Sequence, residues 1–184
     1  MPKLLQVKLY GCEVLKRIAE PLEELTEEMK VFIVDLTNTM YETEGVGIAA
    51  PQVGMSKRIF ICDPDYSKTN VKNPMVLINP ELIEFEGEQI TEEGCLSLPN
   101  IYEKVKRFEY VKIQYRDIHW NQQTVSADGI FATILQHELD HLNGIYLVDR
   151  ISQLRKMALG FKLNRIVQKS NQMFNSIEII NKDD

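Results

Sequence analysis

Residues 136–144 read QHELDHLNG and contain the pattern His-Glu-x-x-His. On a helix, His137 and His141 share one face about one turn apart, so both imidazoles can reach a single metal ion. Glu138 then stands close enough to act on a metal-bound water without being a ligand itself. A helix carrying two hydrogen-bonded histidines would spell the same letters, but these are two of only three histidines in the chain. Two imidazoles alone do not hold a catalytic ion tightly. A catalytic site has three protein ligands and an open fourth position, so the stretch predicts a metal-bearing helix and asks for a third ligand.

Three sources compete for that role. The metzincin protease pattern HExxHxxGxxH is followed through Gly144, but Leu147 stands where its third histidine would be, and leucine cannot bind a metal. A thermolysin-like site takes a downstream glutamate, and Glu178 is the only glutamate after Glu138. Upstream, residues 92–99 read EEGCLSLP and put Cys95 in an extended context after a glycine. A thiolate there would complete a Cys/His/His set with the fourth position left for water. Spacing alone does not choose among these donors.

The rest of the chain frames the helix. Its 184 residues fit one domain, 1–184, large enough to bury a core. A formal charge of −6 disfavours independent nucleic-acid binding, and no apolar run is long enough for a membrane span. The start, MPKLLQVKLYGCEV, lacks the features of a secretory signal, and a cytoplasmic location is expected. Cys12, Cys62 and Cys95 are sparse, odd in number and without a CxxC, which fits a reducing compartment. Cys12 and Cys62 read as small, mostly buried side chains.

A helix is predicted within LTEEMKVFIVDLTNTMYETEG, with Thr26 as cap, Glu27 and Glu28 in the first turn and Gly45 just beyond the end. Met29, Phe32, Ile33, Leu36 and Met40 give it one core-facing stripe. RIFIC, MVLIN, ELIEFEG and EYVKIQY read as strands, and DIHWNQQ, with His119, as a hairpin tip. Helices are expected from about Asp128 to Asn143 and from about Ser152 to Lys169. Strands in a block with helices at the ends suggest an α+β fold.

A third stretch, GVGIAAPQ at residues 45–52, is weak alone: its glycines suggest a tight turn or a close backbone approach. In the order GVGIAAPQ, EEGCLSLP, QHELDH, however, the three stretches resemble the signature motifs of the peptide deformylases. The likeness runs over almost the whole chain, through MVLINPELIE and VKIQYRD between the motifs. It implies an α+β fold of mostly antiparallel sheets packed around the metal helix. It implies removal of the N-formyl group from the N-terminal formylmethionine of nascent proteins, with release of formate.

Residue by residue, the resemblance makes Cys95, His137 and His141 the metal ligands and Glu138 the general acid/base. It makes the side chain of Gln52 and the backbone N–H of Leu96 donors to the formyl oxygen. It places Val46, Ile130 and Ile134 around the methionine side chain, with Gly45 and Gly47 letting the peptide backbone pair with their loop. A thiolate with two imidazoles suits zinc, iron(II), cobalt or nickel; the family implies Fe(II) natively, with Zn(II) giving a weaker enzyme. Glu93, Arg107 and Asp140 are expected to hydrogen-bond the ligands from outside.

Two departures from the family pattern concern substrate access. YGCEVL replaces a His-Pro-Asp-like stretch near the N-terminus, and Tyr102 stands where some members carry an arginine that meets the peptide. Arg155, Lys162, Arg165 and Lys169 form a basic stripe in the C-terminal helix, suited either to a plain solvated face or to docking on the ribosome near the nascent-chain exit. A zinc endopeptidase and a catalytically inactive binding module are the rival readings. The first lacks a protease third ligand. An inactive relative is expected to lose Glu138, Gln52 or a ligand, and all are present.

Overall fold

In the structure, a computed structural model, the backbone of residues 1–180 and the side chains of residues 1–173 are described. Helix α1 (Glu27–Glu42) starts where the Thr26 hydroxyl accepts from the Met29 N–H at 3.3 Å, and it buries Ile33, Leu36 and Met40 at helical spacing. The chain leaves α1 through Glu44, whose φ is +56°, and not through Gly45.

Five antiparallel strands build the main sheet, among β1 (Gly47–Ala49), β2 (Ile59–Cys62), β3 (Met75–Glu86), β4 (Gln89–Cys95), β5 (Leu98–Arg107), β6 (Tyr110–Arg116) and β7 (Gln122–Asp128). The order is β1-β2-β3-β6-β7, which leaves β1 at an edge, while β4 and β5 pair separately as a hairpin. A single-turn helix α2 (Tyr66–Thr69) lies between β2 and β3. MVLIN and ELIEFEG, read as separate runs, are one strand, β3. The register shifts between Ile78 and Glu81, at Asn79, whose φ is +49° and whose side chain ties that point to Leu22 at 2.8 and 2.7 Å. DIHWNQQ forms the β6–β7 tip, as expected, and His119 on it is exposed.

The β4–β5 hairpin was not among the expected strands, for a physical reason. The inward positions of β5 are Leu98, Ile101, Glu103, Val105 and Arg107, so two charges interrupt the apolar alternation. Both are neutralised: Glu103 pairs with Arg155 at 2.8 Å and Arg107 with Glu93 at 2.8 Å. The tight turn, Leu96 and Ser97, also lacks the Asn-Gly or Asp-Gly signal. Neither residue has positive φ, and the strand instead bulges between Gly94 and Cys95.

Helix α3 (Gly129–Leu142) follows β7 and packs Ala132, Leu135, Leu139 and Leu142 into a core shared with β2, β3 and β6. It ends at Gly144 (φ +69°), where a Cβ would lie 2.5 Å from the Lys16 carbonyl oxygen. That backbone contact explains the glycine which coincides with the metzincin pattern. Leu147 is core, 2% exposed, and Glu178 lies beyond the residues whose side chains are described.

The single C-terminal helix expected from about Ser152 is two, α4 (Gln153–Ala158) and α5 (Gly160–Ile180). Ser152 caps α4, a turn at Leu159 separates it from α5, and α5 buries Leu163 and Ile166. The basic stripe is therefore divided: Arg155 lies on α4 and is paired with Glu103, while Lys162, Arg165 and Lys169 stay exposed on α5. Cys62 is fully buried, and Cys12 is only half-buried. Among the described residues no helix is long and apolar enough to cross a membrane.

Candidate metal centre and active site

On α3 the rings of His137 and His141 lie 5.0 Å apart, centroid to centroid. Strand β4 ends on Cys95, and the hairpin brings its Sγ to 3.2 Å from Nε2 of His141. One ligand atom from each of Cys95, His137 and His141 falls within 4.8 Å of the others. This soft sulfur and nitrogen set fits a zinc- or iron-like divalent ion, and three donors leave a coordination position open. Burial pushes the Cys95 thiol up, yet the charge on His141, hydrogen bonds from both rings and the charge on His137 hold it well below its ordinary value. The residue is thus poised as the thiolate a metal requires.

The residues outside the ligands form a continuous chain. Nδ1 of His137 donates to Oε2 of Glu93 at 2.8 Å, leaving Nε2 as the ring's ligating nitrogen. Arg107 grips Glu93 through Nε and Nη2 at 2.8 and 2.9 Å and reaches Asp140 through Nη1 at 2.6 Å. Burial would raise the Glu93 carboxyl, but Arg107 and His137 hold it down at about 2. Arg150, not anticipated from sequence, closes the chain on Asp140. No local pattern marks it: it sits outside all three motifs.

Glu138 is 4% exposed, and among the described residues its Oε2 has no hydrogen-bond partner. Burial pushes its carboxyl up to about 7, against the lowering charges of His137 and His141. A buried acid held near neutrality beside a metal-type donor set has the properties of a general acid/base. Gly47, on β1, is what makes room: a Cβ there would lie 2.4 Å from Oε1 of Glu138. The carboxyl is the end of a flexible side chain, so Gly47→Ala is expected to fold with the displacement falling on Glu138. Formate release should drop roughly 10²-fold, the cost of an ångström-scale misplacement, with metal content unchanged.

Gln52 lies in the 3-10 turn Ala50–Val53, 2% exposed. Its Oε1 accepts from the Ala49 N–H at 2.9 Å, which turns Nε2 toward Cys95 Sγ (3.6 Å) and Ser97 Oγ (3.3 Å). Ser97, buried at the hairpin turn, was missed although it stands inside EEGCLSLP; only the packed turn reveals that it steadies Gln52. Leu96 is the other turn residue.

A cavity of about 570 Å³ opens beside these groups. Gly45, Val46, Gly47, Leu96, Ile130 and Ile134 all line it, together with Tyr102. Ile134 is buried, whereas Ile130 and Tyr102 are 52% and 67% exposed and stand at the rim.

Comparison with known proteins identifies the family. The family model described as Polypeptide deformylase matches residues 4–157. A peptide deformylase of Thermodesulfovibrio yellowstonii is 42% identical over 153 residues, covering 83% of this chain and 92% of its own. Among solved structures, a peptide deformylase from Legionella pneumophila superposes with a TM-score of 0.83 at 36% identity, covering 91% of this chain and 98% of that one. The peptide deformylase from Thermus thermophilus gives 0.81 at 35% identity, covering 89% and 98%. With the fold, the signature motifs and these relatives in agreement, the chain belongs to the polypeptide deformylase family.

Proposed function

We propose that this deformylase, which removes the N-formyl group from nascent peptides, does so with Cys95, His137 and His141 as metal ligands and Glu138 as its general acid/base. The observation carrying the assignment is the near-neutral carboxyl of Glu138, whose Oε2 has no partner among the described residues, buried beside three donors within 4.8 Å of one another. Cys95, His137 and His141 would hold a divalent ion, which would supply Lewis acidity to lower the pKa of water and polarise a carbonyl. Iron(II) is the expected native ion, with Zn(II), Ni(II) and Co(II) as substitutes.

Glu138 takes the proton from the attacking water and delivers it to the departing amine. As water adds, negative charge gathers on the formyl oxygen, where Nε2–H of Gln52 and the N–H of Leu96 act as donors. The fixed orientation of Gln52, set by Ala49 and Ser97, means little reorganisation is needed when that charge develops.

Substrate binding follows from the edge position of β1. An extended peptide can add to an exposed sheet edge; Gly47 opens that edge strand, Gly45 and Val46 lead directly into it, and all three line the cavity. Val46, Ile130 and Ile134 then receive the methionine side chain, and Tyr102 meets the chain beyond it. The enzyme is taken to work in the cytoplasm on N-formylmethionyl peptides as they leave the ribosome, with the exposed cations of α5 as its docking face.

The test is formate release from formyl-Met-Ala-Ser beside acetyl-Met-Ala-Ser, with protein loaded anaerobically with iron(II). Rapid turnover of the formyl peptide alone is expected, since a formyl carbon carries only hydrogen and a tight site excludes a methyl. Silence from folded, metal-loaded protein would remove this assignment.

A further inference from the structure

The two histidine ligands are held differently. His137 hands its Nδ1 proton to Glu93, whereas Nδ1 of His141 is buried and, among the described residues, finds no acceptor. Of the two histidines, then, His137 is the one held from outside among the described residues, and the chain that holds it can be followed outward. Glu93, Arg107 and Asp140 are each under 10% exposed, with side-chain exposures of 4%, 2% and 7%. Arg107 uses three of its donors, two on Glu93 and one on Asp140.

Those three groups carry two negative charges and one positive, a net −1 buried beside a thiolate. Arg150 supplies the balancing charge. Its Nε donates to Oδ2 of Asp140 at 2.9 Å and its Nη2 to Oδ1, so Asp140 is gripped by a fork that engages both oxygens. The backbone that presents Arg150 is itself anchored. Asp149, at the end of the 3-10 turn Leu147–Asp149, accepts from Lys16 at 2.6 Å, from the Tyr146 N–H at 3.0 Å and from Lys156. Arg150 is also where the chain meets solvent: its side chain is 42% exposed.

We infer that Arg150 is a positioning residue for the metal centre, acting through Asp140, Arg107 and Glu93 on the ring of His137. Without it, Asp140 keeps only Arg107 and draws that guanidinium toward itself. The two-point grip on Glu93 loosens, and with it the orientation of the His137 ring. Groups that orient a ligand from outside typically affect metal affinity about 10–100-fold, so an effect of that class is expected from a residue that never touches the ion. The inference rests on the ligand assignment above.

The experiment follows nickel(II) release from the loaded, full-length protein into excess chelator, with the visible spectrum of the cobalt(II) form as a second readout. Arg150→Ala is expected to release nickel about 10-fold faster and to shift the cobalt bands. Arg150→Lys, which restores the charge, should recover most of the wild-type rate. Lys112→Ala breaks the exposed Lys112–Glu84 pair between β6 and β3, which touches none of these residues, and should leave both readouts at wild type. Should the alanine variant not fold, Arg150→Gln carries the same expectation.

Wild-type release and an unchanged cobalt spectrum in Arg150→Ala, whatever its melting temperature, would overturn the inference. Equal acceleration in Lys112→Ala would overturn it too, by showing general loosening. A wild-type protein that binds no nickel or cobalt would instead bring down the ligand assignment beneath it, and that failure is visible before any variant is compared.

Discussion

Glu138→Ala is expected to lower formate release by about 10²–10⁴ while the protein keeps one equivalent of metal. The carboxyl is not a donor of the Cys95, His137 and His141 cluster, so removing it leaves the ion's ligands in place. What disappears is the acceptor for the proton of the attacking water. Glu93, the other buried acid there, is occupied by Arg107 and His137 and held at about 2, too weak a base to take the role. Metal content and kcat measured on the same preparation check the expectation. An active, metal-loaded variant would require a different base.

The same residue carries a pH signature. The ordinary carboxyl value of 4.5 is pushed up to about 7 in the fold, chiefly by burial. Between those values the folded metal-free protein holds a proton that the unfolded chain has released, so stability falls as pH rises through the window. The cost is absent below about 4.5 and complete above about 7, where the displacement corresponds to ~3 kcal/mol. Glu138→Gln removes this cost. Its advantage in thermal stability over the wild type, both metal-free, should grow between pH 5 and pH 8, and a constant difference would contradict it.

Cys95→Ala is expected to abolish both metal retention and turnover. Two imidazoles one helical turn apart remain, and they lack the third donor that makes the site tight. The loss should exceed the 10–100-fold that removing an outer hydrogen-bond partner costs. Cys95→Ser should do no better. The thiol is held well below its ordinary value against the effect of burial, so it binds as thiolate; a serine hydroxyl stays protonated in the same surroundings. Metal per protein after desalting, read beside formate release, checks both variants. Full metal content in Cys95→Ala would show that the third ligand is another residue.

The sequence was most informative where physics is local. Helix α3 is legible because the i, i+4 relation alone puts His137 and His141 on one face, and Thr26 is legible as a cap because its partner Met29 is three residues away. The β4–β5 hairpin was hidden because Glu103 and Arg107 point inward, and their acceptability depends on Arg155, Glu93 and Asp140 elsewhere in the chain. The division between α4 and α5 falls at Leu159 beside Gly160, and a single glycine within a long helical pattern is too weak a local signal to end a helix.

By itself the sequence determined the helix that bears the histidines and, through three ordered motifs, the family and the residues to examine. Only the tertiary structure decided that Cys95 meets His141 across 46 positions, that Glu138 lies buried against Gly47, and that Arg150 ends a chain leading back to His137. Those relations depend on a hairpin register and on the packing of β1 against α3. Such contacts arise between segments far apart in the chain, and no periodicity within either segment encodes the distance between them.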